Sequence, residues 1–256
     1  MIVQHEFNLA ADAAAARYGV LVDGWRGLYA QALNSPRFGT AQNLEALQNL
    51  AYEMGRRFLA DEINQIAMAF AGIVREALRA SFTQLSADAA QSEPEAVTDH
   101  SEALADYLRT ELAIQIERDI AFLRQSLQRV QLQVAIAARS QGIQPRAALM
   151  AYRMTSGGEL TFFFHDRRNQ KWPSRRFVRT VWRHSLLTLY NETVLLVLAE
   201  HGDTIVMVEH INPDAEAHGM QIAMGSNSAL PVYADIRNEI FHPNADAIIA
   251  RWFEEA

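Results

Sequence analysis

Two side chains near the C-terminal end could do chemistry together. Arg237 and His242 lie five positions apart in the run Arg237-Asn238-Glu239-Ile240-Phe241-His242. On a helix that spacing is one turn plus one residue, so the two can face roughly the same way. A guanidinium so placed can hold a phosphate, and an imidazole beside it can move a proton. The pattern is cheap, because Arg179 and His184 repeat it within Arg179-Thr180-Val181-Trp182-Arg183-His184. The plainer reading is a helix end whose Arg and His make local hydrogen bonds.

The same run matches the R-N-x-x-x-H pattern and is similar to that of HEPN-type ribonucleases, in which Arg237 and His242 would be the catalytic pair of an RNA-cleaving toxin. A second constellation is basic: Arg167, Arg168, Lys171, Arg175, Arg176, Arg179 and Arg183. Arg175, Arg179 and Arg183 recur every four residues and so share one helix face. That face can neutralise phosphates or meet an acidic partner; the plain alternative is a solvated face ion-paired to the acidic N-terminal part. Thirdly, His201, His210 and His218 are interspersed with Glu200, Asp203, Glu209, Asp214 and Glu216. No spacing of the H-E-x-x-H kind appears, so the expectation is no metal. No nucleophile elbow or phosphate loop is present. With no convergent nucleophile, base and oxyanion donor, the residues point away from an enzyme and call for no cofactor.

The elements that must position these residues follow from patterning. Half of the 256 residues are hydrophobic, enough for one large domain or two small ones. No apolar run approaches the ~18 residues of a membrane span, and the start lacks the basic region and cleavage pattern of a secretory signal. There is no cysteine, which removes disulfides and thiolate metal sites and favours synthesis in a reducing cytoplasm. The net charge of −7 opposes general nucleic-acid affinity. The basic residues are 22 Arg and the single Lys171, so basic contacts would be planar guanidinium forks.

The pattern predicts α+β architecture, predominantly α. Long N-terminal helices (1–155) precede a small C-terminal module (156–256) with a few short strands packed on helices. The first helix runs over Asn8–Leu33, with Ala13, Ala16, Val20 and Leu21 at helical spacing. The second starts at Thr40 or Asn43 and ends near Phe82, with an apolar face that includes Leu44, Leu47, Leu50, Met54, Phe58, Ile63, Ile66 and Phe70. Residues 86–97 are small, polar and acidic and read as an exposed connector. From Thr98 or Asp99 to about Ser140, Leu104, Leu108, Leu112, Ile116, Ile120, Leu123, Leu127, Val130 and Val134 form one stripe, roughly 60 Å of helix at 1.5 Å per residue. That exceeds what a small module can cover, so other helices of this chain or another subunit must complete it. A short helix covers Ala147–Met154, and the character changes at Ser156-Gly157-Gly158. Leu160–His165 reads as a strand, Arg167–Lys171 as a polar turn, Ser174 or Arg175 to Glu200 as a helix closed by Gly202, and Thr204–His210 as a strand. A further short strand falls near Met220–Met224, and a last helix begins near Leu230 and breaks at Pro243.

In this order the C-terminal segments resemble the phage minor capsid and head morphogenesis families, the group containing the Mu F-like proteins. The resemblance rests on Phe162–Asp166 as a strand ending in Asp, and Gln170-Lys171-Trp172 as the turn. Arg176–Thr180 is the Arg/Thr-rich helix start, and Tyr190-Asn191-Glu192 lies midway. Glu200-His201-Gly202 closes the helix, Ile205–His210 is the hydrophobic strand, Gly219–Ile222 the intervening segment, and Phe241-His242-Pro243-Asn244 the end. It covers roughly the last hundred residues. Family members often carry Cys after His-Pro-Asn, whereas Ala245 stands here, so no cysteine or metal role transfers. The resemblance implies a minor structural protein of a tailed-phage head, inside the capsid or near the portal, acting in assembly, genome packaging or delivery. The implied partners are the portal or the major capsid protein, with contact to packaged DNA a further option, in multiple copies per particle and without a membrane. The implied location is the virion, after synthesis in the host cytoplasm. His242 then belongs to the His-Pro-Asn close, and the face of Arg175, Arg179 and Arg183 is left to meet a partner.

Overall fold

The computed structural model describes residues 2–85, 94–156, 160–165, 168–225 and 229–253. Among the described residues six helices and five short strands follow in the order α1 (Ile2–Asn34), α2 (Ala41–Gln84), α3 (Glu95–Gln141), α4 (Pro145–Ser156), β1 (Phe163–His165), β2 (Lys171–Pro173), α5 (Ser174–Glu200), β3 (Ile205–His210), β4 (Gln221–Ala223), α6 (Tyr233–Ile240) and β5 (Ala247–Arg251). The fold is α+β and predominantly helical, as patterning predicts. No described helix is long and apolar enough to cross a membrane.

The chain forms two compact units, each discontinuous in sequence. One comprises Met1–Ala14, Ile63–Arg109 and Arg179–Ala256; the other comprises Ala15–Glu62 and Thr110–Val178. This division follows packing, whereas the one at 155/156 follows the change from helical to mixed elements. The connector's first eight residues, 86–93, and the 157–159 segment lie outside the described residues. At the connector's far end Val97 is fully buried within α3, so that helix starts earlier than Thr98.

In the unit built on Ala15–Glu62 and Thr110–Val178, aromatic rings organise the core. Tyr18 packs edge-on against Trp25 and Phe58, Trp25 meets Phe162, and Phe122 meets Phe162 and Phe163. This shifts the buried face of α1 from the one expected. Ala13, Ala16 and Val20 are exposed, while Ala14, Ala15, Tyr18, Leu21, Val22 and Trp25 are buried. Burying large rings removes far more apolar area than burying alanines, and that sets the helix rotation. The α3 stripe from Leu112 to Val134 is buried, and this chain's own helices supply the cover. Gly55 of α2 permits the approach: a Cβ there would stand 2.7 Å from Ile116 Cγ2. On α2, Leu47 and Ile66 are buried, but Leu50 and Ile63 fall on the exposed side of the expected stripe. β1 and β2 pair antiparallel, and Lys171, expected to close the polar turn, is the first residue of β2, opposite His165.

In the other unit, β3 is the centre of an antiparallel sheet ordered β4-β3-β5. Val206 and Val208 alternate inward, opposite Arg251 and Ile249 of β5. β5 has no counterpart in the sequence reading, which assigns no strand after Pro243. Its run Ala247–Ala250 is buried throughout and so lacks the alternation that marks a half-buried strand. It is also an edge strand, and its outward N–H groups need partners. Asn191 Oδ1 accepts from the Ile249 N–H (3.0 Å), and Gln84 Oε1 accepts from the Arg251 N–H (2.8 Å).

Candidate functional site

The most connected polar centre of the sheet-bearing unit is Arg183, on the buried side of α5. Its side chain is 4% exposed. Nε donates to Asn8 Oδ1 (2.9 Å) and Nη1 to the Pro243 carbonyl (2.8 Å). Nη2 donates to the Ala245 carbonyl (2.9 Å) and to Asp246 Oδ1 (2.7 Å). Gln4 Nε2 reaches the Asp246 carbonyl (3.2 Å), and Arg179 pairs with Asp12. One planar guanidinium thus joins the start of α1 to the segment carrying His242-Pro243-Asn244, a geometry that an ammonium group cannot reproduce. Burial lowers the Arg183 pKa, the Asp246 charge opposes that shift, and Arg179 adds to it.

Arg175, Arg179 and Arg183 therefore do not form one partner-facing strip. Arg183 is turned inward by its four acceptors. Arg179 is committed to Asp12 and Asn8, as in the ion-paired alternative. Arg175 is exposed and belongs to the other unit, against Gly19. Among the remaining basic residues, Lys171 sits over the Phe163 ring and Arg176 over Trp172. Arg167 lies outside the described residues, as does Asp166 of the proposed strand end.

Arg237 and His242 flank the end of α6. The Arg237 carbonyl accepts from the Phe241 N–H (2.9 Å), closing the helix, and its guanidinium lies 3.5 Å from Glu192 of α5. His242 is exposed; its Nδ1 accepts from the Asn244 N–H (3.2 Å), and its carbonyl accepts from the Ala245 N–H (2.8 Å). With Nδ1 accepting, a neutral ring carries its proton on Nε2. His184 lies near both: burial first, then the Arg237 and His242 charges, depress its pKa below 6.5. Tyr233 is bonded to Glu192, and its pKa is raised by burial and by that carboxylate. The sequence reading paired His184 only with Arg179; its place beside Arg237 and His242 is set by α5 and α6 packing. The three-histidine stretch is used locally. His201 Nδ1 bonds the Val197 carbonyl (2.8 Å), and His218 Nδ1 accepts from the His210 N–H (3.1 Å). Among the described residues no group of three or more His, Asp or Glu could hold a metal ion.

The other unit has a buried polar cluster that sequence reasoning missed, because its members are scattered and none carries a motif. Asp119 is 1% exposed and accepts from Tyr18 Oη (2.6 Å), Ser174 Oγ (2.8 Å) and Gln115 Nε2 (3.1 Å). Burial raises its carboxyl above the ordinary 3.8; those three hydrogen bonds and the Arg118 charge oppose the rise. The folded value thus exceeds the unfolded one, and the folded chain holds the extra proton between them. The stability contributed is full below the unfolded value and is lost as pH rises through the folded value. Asp119→Asn is expected to remove that loss, flattening the dependence of urea-unfolding stability on pH across this interval. An unchanged slope in the variant would show that Asp119 titrates alike in both states.

No family model, curated protein or solved structure matches this chain.

Proposed function

We propose that the protein is a minor structural component of a tailed-phage head, placed inside the capsid or at the portal vertex in several copies, and that it is not an enzyme. The supporting observation is where the resemblance-bearing residues fall. Asn191 and the His242-Pro243-Asn244 segment sit in one hydrogen-bonded frame: Asn191 holds the edge of β5, and Arg183 holds the carbonyls of Pro243 and Ala245. These hydrogen bonds tie the β5 edge and the Pro243–Ala245 segment to α5. The earlier segments quoted for the resemblance, apart from Asp166, lie on β1, β2, α5, the positive-φ Gly202 and β3. Long helices joined to such a module suit an assembly part that docks neighbours.

The test is co-expression with the portal and major capsid proteins of the same genome, followed by sedimentation. The protein is expected to travel with portal or capsid. Free sedimentation in the presence of both would overturn the reading. The competing ribonuclease reading draws on Arg237, His242 and the adjacent His184, yet Arg237 faces Glu192 and His242 Nδ1 is bound within its own turn. Purified protein is therefore expected to leave RNA intact. Cleavage abolished by both Arg237→Ala and His242→Ala would establish the nuclease instead.

A further inference from the structure

A concave site of about 550 Å³ opens in the unit built on Ala15–Glu62 and Thr110–Val178. Leu33, Phe38, Val134 and Leu149 give its apolar floor, Asn34, Ser35 and Gln144 add polar groups, and its rim carries Arg146 and Arg153 of α4. No carboxylate lines it. Both arginines are exposed, and among the described residues neither makes a hydrogen bond or ion pair. What marks them is their place at the concavity, since Arg37, Arg56, Arg75, Arg124 and Arg139 are also exposed with no side-chain partner among the described residues.

The two arginines belong to a stripe. Arg146, Met150, Arg153 and Met154 recur at steps of four, three and one, within one ~100° arc of the helix. Met150 and Met154 are 56% and 86% exposed, a large apolar exposure for a twelve-residue helix. Methionine packs adaptably against irregular partners. The helix itself is fixed: Ala148 and Leu149 are buried, and Tyr152 is hydrogen-bonded to Tyr29, whose phenol pKa is raised chiefly by burial. The stripe is therefore a held surface.

We propose that this surface binds an acidic, amphipathic helical segment of a separate partner protein. Apolar residues of that segment fill the concavity against Leu33, Phe38 and Leu149, and carboxylates about seven residues apart meet Arg146 and Arg153. Seven residues of helix advance about 10.5 Å on either partner, so the two spacings match. Met154 lies beyond the concavity on the same face, so the surface outruns a small molecule. Two cations beside a hollow of mixed lining give nucleic acid too few phosphate contacts, and a concave face cannot lie flat on a bilayer. The proposal is independent of the head-protein reading.

The experiment is selection from a displayed library of helical peptides, using the full chain as bait beside its Arg146→Gln/Arg153→Gln variant. Both side chains are exposed and unpaired, so the variant should keep the wild-type melting temperature, which is checked first. Wild-type bait is expected to enrich peptides with Glu or Asp seven apart and apolar residues between. The best of them should bind the variant about tenfold more weakly and lose affinity in high salt. Enrichment without acidic residues, or equal enrichment on both baits, would overturn the proposal. So would self-association of the wild type that the variant lacks, because the occupant would then be a second copy.

Discussion

Replacing Arg183 by alanine is expected to destabilise the protein by about 3 kcal/mol, seen as a lower urea midpoint with an unchanged slope. The substitution leaves the carbonyls of Pro243 and Ala245 without this donor and the Asn8 amide oxygen with only the longer bond from Arg179. The ion pair with Asp246 contributes less, because that carboxylate is 46% exposed and screened by water. Arg183→Lys should recover only a small part, since one ammonium cannot span acceptors held by a planar fork. Amide exchange over Phe241–Asp246 should quicken in both variants, because this segment loses its tie to α5. A midpoint within about 0.5 kcal/mol of wild type would mean that the frame is held by packing alone.

Trp25→Ala should cost about 3–5 kcal/mol, the range for removing a buried aromatic from a core. Trp25 is fully buried, packs against Tyr18 and Phe162, and donates Nε1 to the Ala51 carbonyl (3.2 Å). Trp25→Phe keeps much of the ring area but loses that hydrogen bond, and should fall between. Because Trp25 and Phe162 share a contact, the double alanine variant should lose less than the sum of the singles. Strict additivity in thermal or urea unfolding would show that the two rings are energetically independent and would remove the aromatic cluster as the organiser of this core.

The helices and their ends were legible because their signals are local. Apolar spacing announces α2 and α3, and Gly202, with φ +85, closes α5 where the sequence places the stop. The α3 stripe from Leu108 to Val134 is buried as its pattern demands. The rotation of α1 is written in the helical spacing of Tyr18, Leu21, Val22, Trp25, Leu28 and Tyr29, whose large side chains outweigh the alanine face of Ala13 and Ala16. Two things were decided only by packing. The strand β5 exists because β3 offers an edge and because Asn191 and Gln84 satisfy its outward N–H groups; an all-buried run of four residues carries no period to reveal it. Arg175, Arg179 and Arg183 share a face by spacing, yet only the tertiary structure places acceptors beside one and a carboxylate beside another. From residue types alone came the helical class and the absence of thiol chemistry, since these rest on composition and near-neighbour spacing. Which arginines are buried and which stand open on α4 was decided by contacts between segments far apart in the chain.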